Sequence, residues 1–172
     1  MPPSPIAEQL TIPVEYGTPS RLLSWDRVAA RLTDAHHYWL ATVRPDGRPH
    51  VVPLDGLWID DVWYFGGRPT TVKHRNLLSN PNAALHLEDG EAAVIVEGTC
   101  AIVTPPEEMA ERLAATSKQK YGDGPPASVY LTGVWALTPV RVLAWGDLTV
   151  DATRFRFDRR NQEVFDDGGG GA

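Results

Sequence analysis

Residues 38–81, YWLATVRPDGRPHVVPLDGLWIDDVWYFGGRPTTVKHRNLLSNP, contain the local signals that decide the fold. Residues 38–43 are rich in aromatic and β-branched side chains, and Pro45-Asp46-Gly47 is typical of a turn. Residues 50–59 resume an extended pattern, Asp60-Asp61 suggests a second turn, and residues 62–65 form a third extended run. The stretch therefore predicts three strands that pair as an antiparallel meander.

A short helix is predicted to follow this meander. Gly66-Gly67 allows the backbone to leave the third strand sharply, and Pro81 ends the helix near Asn80. The start of the helix carries Thr70, Thr71, Lys73 and Arg75. Because a helix N-terminus offers unpaired N–H groups and a positive dipole end, hydroxyls and cations there complete an anion site. A merely basic surface helix is the alternative interpretation.

The rest of the chain predicts more strands than helices. A helix with Trp25 and Val28 on its apolar face begins after Ser24, and a second begins at Pro105-Pro106 and reaches about residue 120. Further strands are expected over residues 83–87, 92–103, 133–145 and 153–157, with Pro139 interrupting the third. Because the strands do not alternate regularly with helices, we predict a mainly β (α+β) fold, a small barrel with peripheral helices.

Composition limits the organisation and the partners of the chain. Its length of 172 residues suits one domain, which we place at residues 21–158 between an extended N-terminal arm, residues 1–20, and a flexible tail, residues 159–172. The arm is either flexible or laid across a partner. A formal net charge of −6 disfavours nucleic acid or an anionic membrane as the main partner. With no signal peptide and no long apolar run, we expect a cytoplasmic protein that does not enter the membrane.

Metal and nucleophile chemistry find little support in the sequence. His36 and His37 are adjacent, so on a strand they would point to opposite faces, and no metal site is expected. Cys100 is the only cysteine, and we interpret it as a core residue. No nucleophile elbow or carboxylate pair is recognisable, which fits a redox protein whose cofactor performs the chemistry.

Four segments resemble the flavin and deazaflavin oxidoreductases that share the split β-barrel of pyridoxamine 5′-phosphate oxidase. They are WLATVRPDGRPHVVPL (39–54), VWYFGG (62–67), TTVKHRNLLSNP (70–81) and VRVLAWGDLTVDATRFRF (140–157). The resemblance is greatest to the deazaflavin-dependent branch. It implies a split β-barrel homodimer that binds coenzyme F420, or alternatively FMN, at the subunit interface and acts on a small-molecule substrate.

The resemblance also implies which residues contact the cofactor. His50, Val51, Val52, Pro53 and Leu54 would line the ring, and Phe65 and Gly66 would pass beside the ribityl chain. Thr70, Thr71, Lys73, Arg75 and Asn76 would bind the phosphate, and Trp145 and Arg154 would reach the cofactor of the other subunit. The proton donor is left open among Tyr130, His50 and bound water.

Some positions depart from the pattern of the pyridoxamine phosphate oxidases. His50 and Asp55 stand where that group has basic residues, Val72 replaces a basic residue, and Ala92 or Ala93 replaces a glutamine. These departures favour a deazaflavin enzyme over a vitamin B6 oxidase. Two alternatives stay open: an FMN-binding protein of the oxidase type, and a flavin carrier without turnover.

Overall fold

The computed structural model describes residues 4–158 of the chain, and within them it contains nine strands, five α-helices and one 3-10 turn at Val14–Tyr16. The strands are β1 (Ile6–Gln9), β2 (Tyr38–Val43), β3 (Pro49–Leu54), β4 (Leu57–Ile59), β5 (Val62–Phe65), β6 (Asn82–His86), β7 (Val94–Val103), β8 (Val134–Ala144) and β9 (Thr153–Arg156). The helices are α1 (Trp25–Asp34), α2 (Val72–Ser79), α3 (Glu107–Tyr121), α4 (Ala127–Tyr130) and α5 (Leu148–Asp151).

All nine strands belong to one antiparallel sheet that does not close. The main path runs β1-β9-β8-β7-β6-β2-β3, and a second path leaves β8 through β5 to β4. The sheet divides on β8, because β5 pairs with residues 135–137 and β9 pairs with residues 141–144. The predicted mainly β split barrel with peripheral helices is confirmed.

A register shift lies at the point where β8 changes partners. Gly98 on β7 pairs with Pro139, the preceding Glu97 pairs with Arg141, and Val140 is the extra residue. Proline lacks the N–H that a regular ladder requires, so a bulge is a suitable place for it. A β-carbon on Gly98 would lie 2.2 Å from the Thr138 carbonyl oxygen, so this close approach requires glycine.

The main core lies inside the curved sheet and is rich in aromatic rings. Trp63 stacks on Phe65 with 4.4 Å between ring centroids, and Phe65 stacks in turn with Trp135 at 6.1 Å. Helix α1 covers one end of this core with Val28 and Leu32, as its apolar spacing predicts. A second cluster forms between α3, β4 and the start of β8.

The predicted three-stranded meander is wrong. The expected strand over residues 50–59 is divided into β3 and β4 by Asp55 and Gly56. Within residues 4–158, β3 pairs only with β2, whereas β4 pairs with β5 and β5 pairs onward with β8. Trp63 Nε1 would lie 2.2 Å from a β-carbon on Gly56, so the chain turns away directly over a core ring.

Other boundaries differ from expectation by a few residues. Helix α2 begins at Val72, which leaves Thr70 in the preceding loop and Thr71 as the N-cap, and β7 begins at Val94 rather than at residue 92. The short helices α4 and α5 were not predicted. Four residues make too little periodic signal for a helix to be read from sequence.

The N-terminal segment contributes to the sheet of its own chain. β1 pairs with β9, and Leu10 N–H donates to the Ala152 carbonyl at 2.9 Å. Residues 6–10 therefore extend the sheet instead of lying free. The tail predicted for residues 159–172 lies outside the described residues.

Candidate functional site

Helix α2 lies beside the opening of the sheet, and its first turn has no side-chain cap. The N-cap Thr71 makes no capping hydrogen bond, and its hydroxyl donates instead to the Arg68 carbonyl at 2.8 Å. The first N–H groups of a helix have no partner inside the helix. An anion from outside the chain is the kind of group that such a helix start attracts.

Lys73 is the most unusual residue of this turn. Its side chain is 6% exposed, and within residues 4–158 its ammonium makes neither a hydrogen bond nor an ion pair. Burial holds the pKa of Lys73 below its ordinary value. Buried charges in proteins normally have a partner, so this ammonium is suited to an anionic ligand.

Gly67 provides the space for this ammonium. A β-carbon on Gly67 would lie 2.4 Å from Lys73 Nζ and 3.8 Å from Thr71 Oγ1. Any other residue at position 67 would therefore displace the lysine. The loop between β5 and α2 and the first turn of α2 together form one cradle for the ammonium.

A buried polar network connects α2 to the sheet. Asn76 Nδ2 donates to Thr42 Oγ1 at 2.9 Å, and His50 Nδ1 lies 3.3 Å from the same oxygen. Thr42 and Asn76 are each 2% exposed. The network holds the helix against β2 and places His50 beside the cradle.

The electrostatic potential around the cradle is positive. Burial, followed by the charges of Arg44 and Lys73, lowers the pKa of His50. Arg75 adds a further exposed cation, whose Nη1 donates to the Thr70 carbonyl at 2.8 Å. This local potential contrasts with the net negative charge of the whole chain.

The strand β3 presents its predicted cofactor residues on two faces. His50, Val52 and Leu54 pair with the inward-facing residues of β2, whereas Val51 and Pro53 alternate with them and are exposed. Of these five side chains, only those of His50, Val52 and Leu54 lie on the side of the sheet that faces the core and α2. Because β3 is an edge strand, its outer backbone edge also stays available to a ligand.

Phe65 and Gly66 occupy the end of β5 next to the cradle. Phe65 is 3% exposed, and its ring is stacked between Trp63 and Trp135, so most of it belongs to the core. Gly66 is exposed, with no atom within 4 Å of where a β-carbon would be. The structure thus brings the strand end close to Lys73, while the Phe65 side chain serves mainly in packing.

Arg154 is not brought to the cradle within one chain, and Trp145 directly follows β8, where its N–H donates to the Ala93 carbonyl at 3.1 Å. Arg154 alternates with the buried Phe155 on β9, so it lies on the outer face of the sheet. Thr42, which anchors α2, lies on the inner face of β2. In the order of the sheet, β2 is four positions away from β9. Arg154 Nε is buried and has no hydrogen-bond partner within residues 4–158.

A cavity of about 630 Å³ opens beside the β5–α2 loop. Gly66 and Gly67 form part of its wall, and Tyr130 lines it together with His74 and Trp135. Burial raises the pKa of Tyr130, so its hydroxyl stays protonated at neutral pH. His74 receives a hydrogen bond from Trp135 at 3.1 Å.

The sequence did not point to Thr42, Gly67, His74 or Trp135. A partial signal was present for two of them: Thr42 is a polar residue at an inward-facing position of β2, and His74 is next to Lys73. The contacts of Gly67 and Trp135 depend on how β5 and β8 pair. No local pattern encodes that pairing.

Other types of site have less support. The described part of the chain contains no group of three or more His, Cys, Asp or Glu residues placed to hold a metal ion. Cys100 is buried, and burial raises its pKa to about 12, so its thiol is a core group. Among residues 4–158 no helix is both long and apolar enough to span a bilayer.

The open sheet, divided along β8 with a helix beside its opening, defines a split β-barrel protein. The chain belongs to the pyridoxamine 5′-phosphate oxidase family, whose model matches residues 24–146. This match covers α1, both sides of the sheet opening and the Lys73 cradle. No curated protein matches the chain in sequence.

Solved structures with the same fold include proteins that bind different cofactors. An F420 reductase is 25% identical, with a TM-score of 0.51, and the match covers 64% of this chain and 92% of that one. A FAD-binding protein from Mesorhizobium loti is 19% identical, with a TM-score of 0.55 and coverages of 80% and 98%. A heme storage protein from Vibrio cholerae is 17% identical, with a TM-score of 0.58 and coverages of 76% and 99%. The last two likenesses concern the fold alone.

Proposed function

We propose that the protein is an oxidoreductase that binds coenzyme F420, or alternatively FMN, at a homodimer interface and transfers hydride to a small conjugated or heteroaromatic substrate. One observation carries the proposal: Lys73 is a buried residue at an uncapped helix start, and its ammonium has no hydrogen-bond or ion-pair partner within residues 4–158. In FMN the phosphate ends the ribityl chain. In coenzyme F420 the phosphate joins the ribityl chain to the lactyl-glutamyl tail. A phosphate would supply the missing partner.

The cradle is suited to a phosphate for three reasons. The N–H groups of the first turn of α2 could donate to an anion, Lys73 supplies one positive charge, and the exposed Arg75 supplies a second. Gly67 leaves no side chain between Lys73 and the ligand. Charge-assisted hydrogen bonds of this kind are about twice as strong as neutral ones.

The remaining parts of the cofactor would lie along β3. His50, Val52 and Leu54 offer one polar and two apolar contacts on the side facing α2, and the edge backbone offers further donors and acceptors. When bound, the cofactor ring supplies the hydride chemistry. The chain's own part is to hold the phosphate, orient the ring and exclude water from one side of it.

A second subunit would complete the site. Arg154 has a buried Nε without a partner within residues 4–158, and it lies on the opposite face of the sheet from the Lys73 cradle. In the proposed arrangement, a ligand held by Lys73 of one chain would meet Arg154 and Trp145 of the other copy. The 25% identity to an F420 reductase supports the deazaflavin assignment, and the Mesorhizobium FAD-binding protein keeps a true flavin in consideration.

The decisive test is a titration of coenzyme F420 and of FMN into wild-type protein, Lys73→Ala and Lys73→Met. We expect the tighter cofactor to lose about 1.5–3 kcal/mol of binding free energy in both variants, the scale of a hydrogen bond to a charged group. Lys118→Ala serves as the control, because Lys118 is an exposed lysine on α3. Equal affinities for the wild type and both Lys73 variants would remove the phosphate from this site.

Two other functions share the same cofactor site: an FMN-binding protein of the oxidase type, and a carrier without turnover. Single-turnover spectroscopy separates them from the reductase. Protein loaded with reduced coenzyme F420 is mixed with quinones, enones or tetrapyrroles. A reductase oxidises the cofactor faster than the free cofactor reacts, a carrier does not, and an FMN oxidase produces hydrogen peroxide under air.

A further inference from the structure

The cavity behind the β5–α2 loop has an aromatic wall that the cofactor proposal does not use. Rings from four elements line it: Tyr64 from β5, Trp135 from β8, Tyr121 from α3 and Tyr130 from α4. Its volume of about 630 Å³ lies within the usual range of small-molecule sites. Aromatic walls favour flat, apolar ligands, because stacking adds to the burial of apolar surface.

One hydrogen bond in this wall selects a tautomer of histidine. Trp135 Nε1 lies 3.1 Å from His74 Nδ1, and an indole nitrogen is always a donor. His74 Nδ1 must therefore be the acceptor, so the neutral ring carries its proton on Nε2. Within residues 4–158 this Nε2–H makes no hydrogen bond.

The charges around the cavity restrict the ligand further. Asp55 and Asp123 stand at its exposed rim, and none of its lining residues within the described chain is a lysine or an arginine. An anionic ligand would meet these two carboxylates, and the nearby Lys120 ammonium already donates to the Gly56 and Thr33 carbonyls and to Tyr38 Oη. The Lys73 cradle thus favours an anion, whereas the carboxylates at the rim of the cavity disfavour one.

We propose that this cavity binds a planar aromatic molecule, uncharged or cationic, whose acceptor atom receives a hydrogen bond from His74 Nε2–H. The cavity shares Gly66 and Gly67 with the Lys73 cradle, so its ligand would lie next to a cofactor held there. That this ligand is the hydride acceptor rests on the proposed function. The ligand site itself rests on the cavity and on the His74–Trp135 pair alone.

Three bicyclic probes test the charge and the acceptor separately. Coumarin is neutral and has a carbonyl acceptor, naphthalene has none, and 2-naphthoate is an anion. We expect wild-type protein to bind coumarin about three- to tenfold more tightly than naphthalene, as one hydrogen bond provides. We expect 2-naphthoate to bind most weakly. Equal affinities for coumarin and naphthalene, or strongest binding of 2-naphthoate, would overturn the proposal.

Variants assign the effect to His74. His74→Phe keeps a ring in place but removes the donor, so the preference for coumarin over naphthalene should disappear. His86→Phe is the control, because His86 stacks on Trp39 outside this cavity. This variant should retain the preference. Imidazole nitrogen NMR provides a readout that does not depend on any ligand. We expect an unprotonated Nδ1 in the wild type and a mixed tautomer in Trp135→Phe. A protonated Nδ1 in the wild type would contradict the assignment.

The two proposals fail separately. If coumarin binding depends on His74 but neither coenzyme F420 nor FMN binds, the cofactor proposal falls and the aromatic site stands. If a cofactor binds through Lys73 but the probes do not distinguish wild type from His74→Phe, the aromatic site falls. Coumarin that competes with the cofactor, instead of binding beside it, would also contradict the proposed arrangement.

Discussion

The Lys73 ammonium lies against the α-carbon of Gly67, so closely that a β-carbon there would come within 2.4 Å of Nζ. The two residues belong to different elements, the loop after β5 and the first turn of α2. Their contact means that the backbone of the loop determines where the charge is held. The position of the ammonium is therefore a property of the contact between the β5–α2 loop and the first turn of α2.

Gly67→Ala should weaken cofactor binding although it removes no polar group. The added methyl group displaces Nζ, and we expect a loss of about 1.5 kcal/mol or more in the titration with coenzyme F420 or FMN. Because Gly67 has a φ angle of 158°, which alanine rarely adopts, we also expect the free energy of unfolding to fall by about 1–3 kcal/mol, so affinity is compared at a temperature where both proteins are folded. Gly90→Ala, in a turn with open space around it, is the control. Unchanged affinity in Gly67→Ala would show that Lys73 does not act from this position.

Thr42→Val should destabilise the protein by about 1–3 kcal/mol, because it leaves the buried Asn76 amide without its acceptor. Urea unfolding measures the change. Thr33→Val is the matched control: Thr33 is exposed and its hydroxyl donates only to the Ala29 carbonyl, so we expect a change within about 0.5 kcal/mol. A similar change in both variants would mean that the Thr42–Asn76 bond contributes no more than a surface bond.

The stability contribution of Lys120 should depend on pH. Lys120 Nζ donates to the Thr33 carbonyl and to Tyr38 Oη, each at 2.8 Å, and burial lowers its pKa from 10.5 to about 8. Between these two values the unfolded chain binds more protons than the folded one, so stability rises with pH there. We expect the free energy of unfolding of wild type minus that of Lys120→Met to increase from pH 8 to pH 10.5.

Lys118→Met provides the comparison for this experiment, because Lys118 is on the same helix but exposed. We expect the difference curve for Lys120→Met to rise more steeply with pH than the curve for Lys118→Met. Tyrosine and cysteine residues also titrate in this window, and the difference between two variants removes their common contribution. A difference curve for Lys120→Met that falls with pH would show that its three acceptors outweigh its burial.

Complementation tests whether Arg154 acts on the cofactor of the other subunit. Lys73→Ala and Arg154→Ala homodimers each have two damaged sites. Suppose that each site takes Lys73 from one chain and Arg154 from the other. A mixed dimer then has one site in which both Lys73 and Arg154 are native. Random mixing of a two-fold dimer should then restore roughly a quarter of the native sites, counted by cofactor titration. No recovery, with mixed dimers shown by mass spectrometry, would place Arg154 outside the partner's site.

The local elements of the central region could be predicted because their signals are short-range. The Asp60-Asp61 turn has φ angles of 50° and 61°, as a tight hairpin requires, and α2 ends before Pro81 as expected. The pairing of β5 could not be predicted. Its partner β8 is about seventy residues further along the chain, and the choice between β3 and β8 depends on packing around Trp63 and Gly56.

The sequence by itself determined that a helix start with hydroxyls and cations follows a β-rich segment, since turn residues and helix signals act over a few positions. It also placed Lys73 and Asn76 in that segment, and the family match covers the same region. Only the tertiary structure decided that Lys73 is buried without a partner in the described chain, that Gly67 shapes its position and that His74 faces an aromatic cavity. Those properties arise where β5, β8 and α2 meet, and contacts between distant segments form only when the whole sheet folds.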